Sequence, residues 1–330
     1  MTRLIRHTRL HALALAGLTY AMLTGCALNM PVPVSDPTPS SARYPAAQTA
    51  PATLYFLDQQ SAEAKEKMVT GRIPMKPMYA DQPLDSAAWL ARNTFAELRA
   101  RGLPATLASK ESEAQDVVQI QLINSTTHRV SGFSPFETYT RLKADLVTPA
   151  GSQRLAFWIK RGKVPVWSFD EVIEPTFNIP LGLMSKDLAA QINKYVFKAS
   201  FSDAQVDALV AKVESAGDAI DYRDVFELGF GNNRRAIPAL VKLMAHGSDE
   251  ISHAAISSLG FLDATEQFGA FKAMYESRGS DKEDRGIALK AICDLSSPEA
   301  RGYATQQMTE LKDKDESDAR FFADILSLYL

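Results

Sequence analysis

A tripeptide that returns after 31 residues constrains the fold of this chain more than any other feature. Leu228-Gly229-Phe230 recurs as Leu259-Gly260-Phe261, and on the same spacing Ile237 matches Phe268, Ala239 matches Ala270 and Leu240 matches Phe271. Ile237, Leu240, Val241 and Met244 fall at i, i+3, i+4 and i+7, one face of a helix, and Ile251, Ala254, Ala255, Leu259 and Leu262 line the next. Ser248-Asp249 recurs as Ser280-Asp281, each pair opening a helix. Ser280 with Glu283, like Ser202 with Gln205, has the spacing of a capping box. Gly229 and Gly231 are expected as helix C-caps between repeats, because no strand precedes them and no Lys-Ser/Thr follows, as a phosphate loop would require. From residue 201 to 330 no strand period appears. A single pair of such helices cannot bury its apolar stripe, so neighbouring pairs must stack.

Residues 232–263 (NNRRAIPALVKLMAHGSDEISHAAISSLGFLD) carry a family likeness. With Pro238 early in its helix and the Ala-Ala-x-x-x-Leu-Gly run ending at Gly260, this stretch resembles HEAT-type helical repeats, close in pattern to the short variants also found in bilin lyases. The resemblance covers roughly the last third of the chain. It implies an all-α HEAT-like solenoid over 201–330 whose curved surface binds protein or peptide. That part is acidic, with 13 Lys and Arg against 19 Asp and Glu over residues 221–330. Its final helix is apolar nearly all round (Phe321, Phe322, Ile325, Leu326, Leu328, Tyr329, Leu330), where a terminal repeat normally shows a polar outer face. Either it tucks against the preceding domain or it contacts another subunit.

Residues 52–200 have mixed character and are expected to form an α+β domain, an antiparallel sheet with helices on one face. Residues 53–57 (TLYFL) read as a short strand. Asp85 can cap a helix whose Ala87, Ala91, Phe95 and Leu98 share a face and which Gly102 stops. Val118, Ile120 and Leu122 alternate with Gln119 and Gln121. Leu142, Ala144 and Leu146 alternate with Arg141, Lys143 and Asp145. After a Thr148-Pro149-Ala150-Gly151 turn, Leu155, Phe157 and Ile159 take one side of a third strand. A helix carrying Leu188, Ile192 and Val196 follows.

The N-terminus has the order of a secretory signal: Arg3, Arg6 and Arg9, then twelve mostly apolar residues (12–23, ALALAGLTYAML). That run is too short to span a bilayer, which takes roughly 20 residues. It ends in Leu23-Thr24-Gly25-Cys26, which resembles the lipobox of bacterial lipoproteins. The resemblance implies a signal peptide over 1–25, cleavage before Cys26, and lipidation of its thiol. The implied partner is therefore a membrane, in the cell envelope. Ala27 rather than Asp after the cysteine favours the outer membrane, facing the periplasm. Several acyl chains would hold the protein stably, at about 0.8 kcal/mol per buried methylene. Losing the three arginines takes the formal charge from −3 to −6, which argues against nucleic acid as a partner. Residues 26–51 then form a tether: with prolines at 31, 33, 37, 39, 45 and 51 and little charge, the stretch is expected to stay extended and to hold the folded part away from the membrane. With Cys26 lipidated, Cys293 has no intrachain partner and reads as a small buried hydrophobe.

No constellation of catalytic residues emerges. His128, His246 and His253 lack the ligand set and spacing of a metal site, no GxSxG surrounds a serine, and no cofactor is implied. The one cluster that stands out lies in residues 164–180 (VPVWSFDEVIEPTFNIP), where Trp167 and Phe169 accompany Asp170, Glu171 and Glu174. Carboxylates beside aromatics suit a sugar-binding or other ligand-binding surface, although a Pro-punctuated loop pinning its aromatics to a sheet has the same composition. Residues 131–139 (SGFSPFETY) form a second aromatic, turn-rich stretch. The expectation is a non-enzymatic, membrane-anchored adaptor with an envelope protein as partner. The alternative is a small-molecule or glycan-binding lipoprotein that uses the 164–180 segment.

Overall fold

The computed structural model describes residues 30–45, 50–131, 133–164 and 166–330. Cys26 and the signal-like segment lie outside the described residues.

Three 13-residue strands, β7 (Asp116–His128), β8 (Phe136–Thr148) and β9 (Gly151–Lys163), form an antiparallel meander. The alternation read from the sequence places Leu142, Ala144 and Leu146 opposite Phe157, Leu155 and Gln153 on one face, with the three apolar β8 residues fully buried. β7 departs from its expected period. A bulge between Ile120 and Leu122 inserts one residue, so the buried series runs Val118, Ile120, Ile123 and Leu122 is only half-buried.

The sheet is mixed, which corrects the antiparallel expectation. β2 (Ala52–Asp58) runs parallel to β7 and to β6 (Ala105–Leu107), and β3 (Val69–Gly71) runs parallel to the far half of β7. Alternation reports which face a residue takes, not strand direction. Direction is set here by a crossover: the chain leaves β2, passes through helix α1 (Ala62–Glu66) and then α2 (Ser86–Ala100), and re-enters the sheet the same way up. Asp85 caps α2 by accepting from the Ala88 amide at 3.0 Å, and Gly102, at φ +84°, lets the chain turn away after it.

The expected tether is also corrected. β1 (Met30–Pro33) pairs in parallel with β4 (Met75–Tyr79), which pairs with β5 (Gln82–Pro83) to complete a second small sheet. Val32, Val34 and Tyr44 are buried, the last donating through its hydroxyl to the Phe230 carbonyl at 2.7 Å. Three apolar side chains suffice to hold this Pro-rich strap because its backbone amides find partners: Met30 N reaches Pro74 O and Val34 N reaches Met78 O.

After β9 the chain enters α3 (Asp170–Ile173), a π-turn (Glu174–Asn178) and α4 (Ile179–Ile192), which run on as one continuous helical stretch. α4 is buried on almost every side, as its nearly all-round apolar sequence requires. It packs on the same sheet face as Leu142.

The C-terminal region is helical throughout: α5 (Asp203–Ser215), α6 (Tyr222–Phe230), α7 (Ile237–Leu243), α8 (Asp249–Phe261), α9 (Phe268–Glu276), α10 (Lys282–Asp294), α11 (Pro298–Leu311) and α12 (Ser317–Leu326). Each odd-numbered helix packs on its successor, and α6, α8, α10 and α12 stack in that order as an inner layer. The glycines of the 31-residue repeat lie inside helices at these inner contacts. A β-carbon on Gly229 would stand 2.8 Å from Ser258 Cβ, and one on Gly260 would stand 3.0 Å from Ala291 Cα. Gly229 is thus a contact glycine rather than the expected cap, whereas Gly231 does stand at the C-cap of α6, its amide donating to the Glu227 carbonyl. The left-handed positions fall to Asn232 and Asp263, again 31 apart, at φ +52° and +54°. The capping box at Ser202 forms, while α10 starts from Asp281 and Ser280 turns back to Ser277.

The inner layer wraps the exposed edge of β9. Arg161 meets Glu250 at 2.8 Å, and Tyr139 on β8 donates to Glu283 at 2.8 Å. α12 closes the sheet face opposite α4. Phe321 meets Tyr139 and Trp158 edge-on, Arg141 pairs with Asp324 at 2.7 Å, and Lys143 donates to the Ser327 carbonyl. Of the two alternatives for the apolar last helix, it takes the first. An apolar helix and an aromatic sheet face that would each be a liability alone cover one another.

Candidate functional site

The five residues singled out in the 164–180 segment do not converge. Trp167 is 83% exposed at the start of the turn before α3. Phe169 packs inward against Phe136, ring centroids 6.5 Å apart and nearly perpendicular. Asp170 is exposed at the first position of α3, and Glu171 folds back to accept from the Trp167 amide at 3.3 Å. Glu174 is exposed one turn later and accepts from Asn178 at 3.1 Å. Phe177 is buried beside Phe136. The segment is helical from Asp170 onward, which leaves Glu171 at the Trp167 backbone and carries Glu174 on to Asn178.

Of the five, Glu174 alone lines an open groove of about 850 Å³. One wall is the strap, residues 35–42. The opposite wall comes from α5 and α6 (Gln205, Leu209, Lys212, Arg223), and Ile179, Leu183 and Lys186 of α4 close the end. The groove thus lies where the strap, the sheet domain and the first helix pair meet. Sequence reasoning missed it, because its walls are separated by up to about 190 residues; the prolines of the strap were its one local signal.

Beneath two groove-lining residues, Ser40 and Glu227, lies a buried ion-pair network. Arg101, at the end of α2, is fully buried. Its Nε donates to Glu97 at 2.7 Å, and its two terminal nitrogens donate to both oxygens of Glu227 at 2.7 and 2.8 Å. Nη2 also reaches Ser40 Oγ at 3.1 Å, and Glu97 accepts from the Ser40 amide at 2.8 Å. One guanidinium therefore ties the strap, α2 and α6 together, with charge and hydrogen-bonding capacity satisfied by two carboxylates. Further along the strap, Asp36 accepts from Tyr79, Arg92 and Asn93 at 2.8 to 3.0 Å. Partial burial pushes against ionisation of Asp36, yet these three donors hold its carboxyl below the usual range.

A smaller cleft of about 230 Å³ lies between the β9 edge and α8. His253 lines it, held to Asp284 at 2.7 Å, and Arg161 lies over the Tyr222 ring at 4.2 Å. His246 instead accepts from the Ser248 amide. Among the described residues, no three His, Cys, Asp or Glu side chains come together to hold a metal ion. No helix among them is long and apolar enough to cross a membrane.

No family model and no curated protein matches the chain. Among solved structures, one titled "Crystal structure of uncharacterized protein" aligns with 47% of this chain and 98% of its own, at 12% identity and a TM-score of 0.30.

Proposed function

We propose that this protein is a lipid-anchored adaptor of the bacterial cell envelope, held through Cys26 at a membrane, in the outer membrane facing the periplasm, and working without catalysis. Its helical region is a short HEAT-like solenoid, and a segment of an envelope protein docks in the groove between strap and helices. What supports the solenoid is periodicity that reaches the contacts: Gly229 and Gly260 at inner-helix crossings, and Asn232 and Asp263 at left-handed turns. The single observation that carries the adaptor reading is the 850 Å³ groove, walled by both regions and fixed from beneath by the Arg101 clasp. Its extended, proline-rich wall and mixed charges suit an extended peptide segment better than a compact metabolite.

A photo-crosslinking residue at Leu209, which lines the groove, tests this in the native envelope, with one at the distant exposed Leu107 as control. A discrete envelope-protein adduct from position 209 alone, lost when Lys186 and Arg223 are both reversed to Glu, is the expected result. Identical adducts from both positions, or none from 209, would sink the adaptor reading. The alternative, a ligand or glycan seat on the 164–180 segment, requires Trp167 and Glu174 to act together. It survives only if Trp167→Ala and Glu174→Gln each abolish binding of the same compound.

A further inference from the structure

Four large apolar side chains stand exposed in two adjacent turns: Val130 at 69% and Phe133 at 100% between β7 and β8, and Val164 at 57% and Trp167 at 83% after β9. Strand register puts both turns at the same end of the sheet, since His128 pairs with Glu137 and Phe136 with Lys163. Packing does not explain these residues. Their neighbours Phe136, Phe169, Val172 and Phe177 already form a closed small core at that end.

The chain arrives at the same end. Met30, the first described residue, packs on that small core together with Val166 and Phe169, beside both turns. Three residues lie between it and Cys26. Four residue steps reach at most roughly 14 Å, so a lipid on Cys26 brings this end of the molecule to the bilayer surface. The strap cannot act as a long spacer, because it is packed into the fold.

We infer that the end of the sheet bearing Val130, Phe133, Val164 and Trp167 is a second membrane contact, seated in the headgroup layer of the leaflet that holds the lipid. This rests on the reading of Cys26 as lipidated. A phenyl ring at the β7–β8 hairpin tip and an indole in the adjacent turn after β9 suit that layer, whose depth accommodates amphipathic aromatic rings. The surrounding charge is mixed: Arg72, Arg129 and Lys163 flank the tip, and Asp170 and Glu171 follow Trp167. Insertion is therefore driven by apolar area rather than by attraction to anionic lipid, and depends little on salt. Anchor and tip together hold the molecule in one orientation, with the groove walls carried at a set height above the membrane.

Trp167 is its own reporter, because Trp89 and Trp158 are each only 2% exposed. The lipidated full chain is reconstituted in vesicles of phosphatidylethanolamine and phosphatidylglycerol (3:1) containing acyl-brominated lipid, with Trp167→Phe supplying the background. The contribution of Trp167 to the emission is expected to fall by at least half. An unquenched Trp167 in a chain whose Cys26 is shown by mass spectrometry to be acylated overturns the tip and leaves the anchor. In a parallel arm, residues 27–330, which hold every described element, are sedimented with the same vesicles. Partitioning is expected to drop at least tenfold in Phe133→Ser/Trp167→Ser, with an unchanged melting temperature. Equal partitioning of the two forms also overturns the proposal. If Cys26 carries no lipid but this difference persists, the anchor fails and the tip stands.

Discussion

Arg101 and Glu227 lie 126 residues apart in sequence and share two parallel hydrogen bonds, Nη1 to Oε1 at 2.7 Å and Nη2 to Oε2 at 2.8 Å, across the seam between the sheet domain and the helices. The same guanidinium serves Glu97, itself 2% exposed. Removing it leaves a buried carboxylate without a counter-charge. Arg101→Met is expected to cost about 3–5 kcal/mol in urea unfolding at pH 7. Arg101→Lys should recover little, because an ammonium cannot bridge two carboxylates with a planar fork. A loss below about 1 kcal/mol would show that the seam is held by its apolar contacts.

The repeat glycines invert a familiar rule. Inside a helix, Gly→Ala ordinarily stabilises by up to about 1 kcal/mol. At Gly260 the new methyl would lie 2.9 Å from Asp294 Oδ2 and 3.0 Å from Ala291 Cα, so the Asp294 side chain must move and α10 must give by a few tenths of an ångström. Gly260→Ala is expected to destabilise by about 1–3 kcal/mol. Gly302, inside α11, has nothing within 4 Å of such a methyl and provides the matched control. Gly302→Ala should raise the unfolding midpoint, and a rise at both positions would refute the close-contact account.

These contrasts mark what could be read from the chain beforehand. Periodicity was legible: the 31-residue repeat located the stacked helices, and period-two alternation assigned Leu142 and Leu155 to the core. Strand direction was not, because β2 joins the sheet through a crossover that leaves no trace in alternation. The strap was misjudged because Val32, Val34 and Tyr44 are diluted among prolines and polar residues, and composition averages over the few side chains that do the anchoring. The groove and the Arg101 clasp were invisible for a different reason. The clasp is built from charged residues that look solvated in their local context, and the groove from polar, proline and aliphatic residues that meet only when remote helices pack.

Asp187 gives the fold a pH dependence. It is buried on α4, and burial pushes its carboxyl up to about 6, with Lys290 and Gln191 working in the other direction. In an unfolded chain the group ionises near 3.9. The folded state therefore favours the protonated form. This contribution is complete below about pH 4 and is lost as pH rises through about 6, a difference of about 3 kcal/mol. Asp187→Asn cannot ionise and should not lose it. The stability of the variant relative to the parent is expected to climb by that amount between pH 4 and pH 8. Parallel pH profiles for the two proteins would mean that the buried charge is fully compensated.

The last helix tests whether the two regions fold as one. Phe322 is 2% exposed and meets Tyr275 edge-on at 5.3 Å, while its neighbour Phe321 covers Tyr139 and Trp158 of the sheet. Phe322→Ala removes a full aromatic ring from a packed site and is expected to cost about 3–5 kcal/mol. The loss should appear in both regions, because α12 also supplies Asp324 to Arg141 and the following residues supply carbonyls to Lys143 and Arg154. Hydrogen exchange provides the measurement. Amides of β8 and β9 should lose protection together with those of α10 and α12. If the helices loosen while the sheet amides stay protected, α12 is a terminal cap of the array alone, and the sheet face beneath it is stable without cover.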